Sequence, residues 1–389
     1  MRRGRRLARG LITGVALAAA ALAGAITPAA AARTAPAARS VAARSMASGS
    51  DELSSISCTS THYCIAVGTV HINRLGAGTS LALAWNGRGW QVLPTPGTGP
   101  GGSSLAGVDC RSARRCIAVG SVGSVSSGLT PLAERWNGRT WRRLKMPAHD
   151  GSLHAVSCTS ASRCMAVGSD HACELAEQWN GSTWRVLSTP SPCGPPQSGG
   201  LTSVSCRSAG SCQAVGNYMP DNEAELTLAE SWNGSKWTQQ ATSSPGDLAR
   251  LNSVSCVPAG SCMAAGSGFP VESRGQAAIA ESWNGPAWQL LAPVRMAPAA
   301  SLGGVACRRA AWCMSVGAYT RGGVMFPQAQ VWNGAIWLAV TPPHAPGTLS
   351  GLSCPAASTC LAVGATGQSN FAALWNGTRW RSVTSVPSP

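Results

Sequence analysis

The chain has 389 residues, of which 44% are hydrophobic but only 5% aromatic, with 16 cysteines, 15 tryptophans and a formal charge of +15. Eight of its 30 basic residues precede position 51 and no acid does, so the remainder sets 22 bases against 15 acids, with no basic run longer than Arg114 and Arg115. Nucleic-acid binding concentrates positive charge on one face among stacking aromatics, and this pattern excludes it.

The N-terminus runs Met1, Arg2, Arg3, Gly4, Arg5, Arg6, passes through an uncharged apolar stretch from Leu11 to Ile26, and reaches Ala29 to Ala32. A basic start, an apolar middle and small residues make residues 1–32 a secretory signal. The stretch is shorter than the ~20 residues of a bilayer span, and no later segment is apolar enough to cross a membrane. The paired arginines leave general and twin-arginine export both open. Residues 33–52 are rich in Ala, Ser and Arg and too poor in large apolar side chains to offset chain entropy, which predicts a flexible leader. The protein is expected to be secreted.

Cysteine pairs then recur at Cys58 and Cys64, Cys110 and Cys116, Cys158 and Cys164, Cys206 and Cys212, Cys256 and Cys262, Cys307 and Cys313, and Cys354 and Cys360. Each pair precedes two tryptophans, from Trp85 and Trp90 in the first copy to Trp375 and Trp380 in the last. Disulfides persist in an exported chain. The Cys-x5-Cys spacing is wider than zinc sites favour, and the histidines are not paired near the cysteines, so no metal or other cofactor is expected.

The unit reads L-x-x-V-x-C, five residues, C-x-A-V-G, a variable stretch, L-A-E-x-W-N-G-x-x-W, and a tail ending in Pro, with copies starting near residues 53, 105, 153, 201, 251, 302 and 349. Short apolar runs such as Leu201, Val204 and Cys206 read as strands. Asn-Gly between two of them signals a hairpin, since both residues tolerate positive φ. Prolines such as Pro94, Pro190 and Pro342 end the fourth strand. Four strands per copy, repeated radially, bury each sheet against two neighbours, which predicts an all-β seven-bladed propeller over residues 53–389. The chain starts with a first strand and ends after a fourth, so the ring is expected to close by packing between blades.

The unit resembles the repeat of bacterial-neuraminidase-type (Asp-box) propellers, in particular those like the photosystem II stability and assembly factor. Cys116 to Gly120 stands for their G-W-A-V-G and Trp136 to Trp141 for their box turn, with Asn in place of the box Asp in every copy. The leader resembles in style that of secreted actinobacterial proteins carrying such repeats.

Strands that cross the ring in alternation put every Cys-x5-Cys turn and every Trp-Asn-Gly turn on one face. The variable connections fall on the other, which makes that loop face the expected ligand surface. Cys173 and Cys193 both lie in loop-face segments and are expected to bridge each other. The ligand candidates are Tyr218, Asp221, Glu223, Glu225, Asp170, His171 and Tyr319. Glu134, Glu177, Glu230 and Glu281 share one repeat position and should be spread around the ring, in structural hydrogen bonds to neighbouring turns. Sialidases of the resembled group use an arginine cluster and a Tyr beside a Glu; Tyr218 near Glu223 and Glu225 is the nearest match, and no arginine triad can be assigned. The leading expectation is a monomeric, non-catalytic binding module for an extracellular glycan or protein. The alternatives are a carbohydrate-active hydrolase or lyase and a structural or assembly factor.

Overall fold

The computed structural model describes residues 51–71, 78–96, 101–124, 128–170, 173–190, 198–220, 224–270, 275–285, 287–291, 299–343, 345–367, 369–383 and 386–387. Residues 47–389 form one compact unit. The expected signal and almost all of the leader fall outside the described residues.

The described strands form seven antiparallel sheets of four, each in chain order. In the first blade they are Asp51–Ser60, Tyr63–His71, Gly78–Trp85 and Trp90–Val92. The last blade runs from Thr348–Ala356 to Trp380–Ser382. The fold is the expected seven-bladed propeller, with seven disulfides, one in each Cys-x5-Cys pair.

One row of four residues crosses every blade. In the first blade Cys58 faces Cys64, Cys64 faces Trp85, and Trp85 faces Trp90. The two tryptophan rings of each blade lie 5.5–5.9 Å apart and inclined to each other. Such aromatic pairs contribute ~0.5–1.5 kcal/mol beyond the area they bury. The disulfide ties the two inner strands and the tryptophans clamp the two outer ones, so one level of the sheet is fixed from axis to rim.

The glycine of C-x-A-V-G answers to a different constraint. The first strand bulges between Leu53 and Ser55 opposite Gly68, and a Cβ on Gly68 would run into the carbonyl oxygen of Glu52. Only glycine permits that approach.

The tryptophan turn differs from a two-residue hairpin. Trp136 pairs with Trp141, which leaves four residues in the loop, and Gly138 takes a φ of +95°. Asn137 does not adopt positive φ. Its Oδ1 instead accepts the N–H groups of Arg139 and Thr140 at 2.8 and 2.9 Å, and so holds the turn from its side chain.

Neighbouring blades share cores. Ile65, Val67 and Ala82 pack with Leu105, Val108 and Leu132, and Leu53, Ile56 and Leu81 pack with Leu361, Val363 and Ala372 across the closure. The first strands add a girdle of hydrogen bonds. The N–H of Cys110 donates to Ser57 Oγ, Cys158 to Asp109 Oδ2, Cys206 to Ser157, Cys256 to Ser205 and Cys307 to Ser255, at 2.7–3.0 Å.

Candidate functional site

The two faces separate as strand parity requires. A Cβ on Gly87 would meet His62, one on Gly138 would meet Arg114, and one on Gly334 would meet Ala311. The cysteine turn and the tryptophan turn of a blade therefore lie side by side at one end of the sheet. The loops joining second to third strands and blade to blade emerge at the other.

On that loop face, Tyr218 and Glu225 do not meet. Tyr218 packs against the core shared by the third and fourth blades. Glu225 is buried, accepts Asn217 Nδ2 at 2.6 Å and forms an ion pair of 2.6 Å with Arg250 of the fifth blade. Asn217 and Tyr218 are consecutive in a strand, and side-chain alternation sends them to opposite faces of the sheet. Glu225 follows Asn217, which leaves Tyr218 on the far side. Tyr319 stacks on Phe326, ring centroids 5.7 Å apart. Asp170 ends its strand opposite Cys173, half-buried. His171, Asp221 and Glu223 lie outside the described residues, as does Cys193; Cys173 bonds to no described cysteine.

Sequence patterning did not disclose a second set of features on this face. The described non-glycine residues with positive φ are Ser244, Leu248 and Ala299, at 33°, 52° and 57°. All three lie where the chain enters the fifth and sixth blades. Leu248 is 49% exposed, and beside it Phe269 is 40% exposed. Val324 and Met325, at the tip of the hairpin that carries Tyr319, are also exposed. Leucine in the left-handed region costs about 1–2 kcal/mol, so an exposed, strained Leu248 contributes nothing evident to the core.

The periodic glutamates are buried between blades. Glu177 Oε1 lies 3.1 Å from His149 Nε2, and His149 Nδ1 donates to the Asp150 carbonyl at 2.7 Å. Burial raises the Glu177 carboxyl to about 7, against the pull of His149. Glu281 accepts the Ser243 N–H at 3.4 Å. These two bond to the preceding connector, much as expected. Glu134 and Glu230 do not: neither carboxyl has a hydrogen-bond partner among the described residues. Burial pushes Glu134 up to about 7, against the pull of Arg143. Burial, and then the charge of Glu174 on the third blade, push Glu230 up to about 8. All four side chains are closed to solvent.

Among the described residues no three His, Cys, Asp or Glu side chains are grouped to hold a metal ion, and no described helix is long and apolar enough to cross a membrane. The seven disulfides fit an oxidising environment.

The sequence matches no family profile and no curated protein. Its structure is similar to YCF48 bound to D1 peptide, with a TM-score of 0.54 at 14% identity over 87% of this chain and 93% of that one. YCF48 from Cyanidioschyzon merolae gives 0.53 at 15% identity over 82% and 94%. A polysaccharide lyase, an ulvan lyase, gives 0.58 at 9% identity over 87% and 97%. At these identities the likeness is one of fold alone.

Proposed function

We propose that this chain is a secreted, non-catalytic binding module that takes an extracellular protein on the loop face of its fifth and sixth blades. The observation that carries the reading is the coincidence there of backbone strain with exposed apolar side chains. Strain that brings no packing is retained at functional sites, and apolar residues gathered at one place on a surface mark interaction sites. The peptide held by YCF48 is a precedent for the fold. Against hydrolysis or elimination, the periodic glutamates are enclosed and Glu225 is neutralised by Arg250.

The test compares the folded chain with a Leu248→Asn, Phe269→Ser, Met325→Ser variant, using cross-linking to secreted proteins of the producing cell and turnover of acidic polysaccharides. Expected is a cross-linked partner lost in the variant and no turnover. An unchanged cross-linking pattern, or turnover abolished by Glu225→Gln, overturns the reading.

A further inference from the structure

Eight of the 22 basic residues after position 50 lie between residues 105 and 152, within one blade of seven. The sequence disguises this, because Arg111, Arg114 and Arg115 are separated from Arg135 by the whole length of two strands. Folding reunites them. Arg111 and Arg115 flank the cysteine turn of the second blade, Arg114 sits within it, and Arg135 stands on the third strand opposite Ile117.

Together they line a cleft of about 450 Å³ between the second and third blades, on the turn face. Its far wall is the disulfide turn of the third blade, with Ser160 and Ala161. All four arginines are exposed. One acid accompanies them: Asp109, whose Oδ2 is taken by the Cys158 N–H at 2.7 Å and whose carboxylate also faces Arg111. The cleft therefore carries a net charge of about three, concentrated over a few guanidinium forks.

The repeat supplies its own control. At the junction of the third and fourth blades the positions equivalent to Arg111, Arg114, Arg115 and Arg135 are Thr159, Ser162, Arg163 and Gln178, and the space lined by Thr159, Arg163 and Gln178 is about 10 Å³. The same backbone thus forms an open cationic cleft at one junction and a closed contact at the next. Only the side chains differ, and in no other blade do arginines occupy all four positions.

We infer that this cleft is a second binding site, on the face opposite the loops, for the oxyanions of an acidic glycan bearing sulfate esters or uronate carboxylates. Guanidinium groups bind such planar or tetrahedral oxyanions in bidentate fashion, and the volume is within the range of small-ligand pockets. An acidic peptide fits less well. Protein partners anchor through apolar side chains seated in open pockets, whereas the apolar lining here, Trp136 and Ile117, is already buried in the cores shared with neighbouring blades. The inference does not rest on the loop-face reading.

The probes are dextran sulfate, polygalacturonate, poly-glutamate and inorganic sulfate, with affinity measured by titration calorimetry at low and physiological salt. Expected is binding of one or both glycans that weakens at least tenfold in Arg114→Ala, Arg135→Ala, with an unchanged melting temperature. Lysine at both positions should restore only part of it, and Leu248→Asn should leave it untouched. Whichever of dextran sulfate and polygalacturonate binds better identifies the oxyanion. The inference is overturned if neither glycan binds, if poly-glutamate binds more tightly, or if Arg379→Ala, Arg381→Ala in the last blade weakens binding equally.

Discussion

The backbone N–H of Cys58 in the first blade donates to the hydroxyl of Ser353 in the last, at 3.0 Å. The two residues are 295 positions apart in sequence, yet their bond repeats the one that links five of the six earlier pairs of blades. Among the described residues the closure uses no strand borrowed from the other end of the chain: the strands of the first sheet all fall within residues 51–92. What closes the ring is the same girdle and the same apolar contact that joins the other blades.

One link in the girdle is missing. Between the sixth and seventh blades the accepting position is Ala306, which has no hydroxyl for the Cys354 N–H. Ala306→Ser should complete the set and raise stability by about 0.5–1.5 kcal/mol, while Ser353→Ala should lower it by a similar amount. Thermal melts of the two variants check both signs.

The buried glutamates make stability depend on pH in a stated direction. Glu134 and Glu230 are held up to about 7 and about 8 in the fold, above the unfolded value near 4.3. A raised carboxyl favours the folded state most fully below its unfolded value, and that contribution is lost as pH rises through the folded value. Stability should therefore decline between about pH 4 and pH 8 on account of these groups. Gln330 occupies the same repeat position in the sixth blade, buried and neutral. Glu134→Gln and Glu230→Gln should change little at pH 5 and stabilise by on the order of 2 kcal/mol at pH 9. Denaturant melts across that range provide the check.

Leu248 separates stability from binding. Asparagine tolerates the left-handed backbone that leucine resists, so Leu248→Asn should hold or raise the melting temperature, by up to about 1 kcal/mol in stability. Partner capture on the loop face should fall. A variant that melts lower and still binds would remove the strain argument.

Each disulfide closes a short loop whose entropy is worth about 2 kcal/mol. Cys110→Ser, Cys116→Ser should cost that much. It should also loosen the anionic-glycan cleft, since Cys116 and Arg115 share its wall. Chemical denaturation and titration with dextran sulfate measure the two effects separately.

Most of the scaffold was legible because its constraints are local and repeated. Cys58, Cys64, Trp85 and Trp90 stand in one row, so their spacing in sequence reports the register of the sheet directly. The turn was read with less precision: Asn137 suggested positive φ, but its side chain caps the loop and only Gly138 turns. The surfaces were far less legible, because they arise from differences between copies. Nothing in the run of residues from Arg111 to Arg135 shows that they share one cleft, and the strain at Leu248 has no signature in composition. Tyr218 and Glu225 looked close along the chain, yet alternation and the neighbouring blade's Arg250 part them.

Both binding assignments require that the cysteine turns and the variable loops lie at opposite ends of the blades. Non-reducing peptide mapping tests this most directly, because Cys173 opens a loop-face strand while Cys164 belongs to the turn face. The account predicts the seven local pairs and a Cys173–Cys193 bridge. A bond from Cys173 to Cys164, or to any other repeat cysteine, would contradict it.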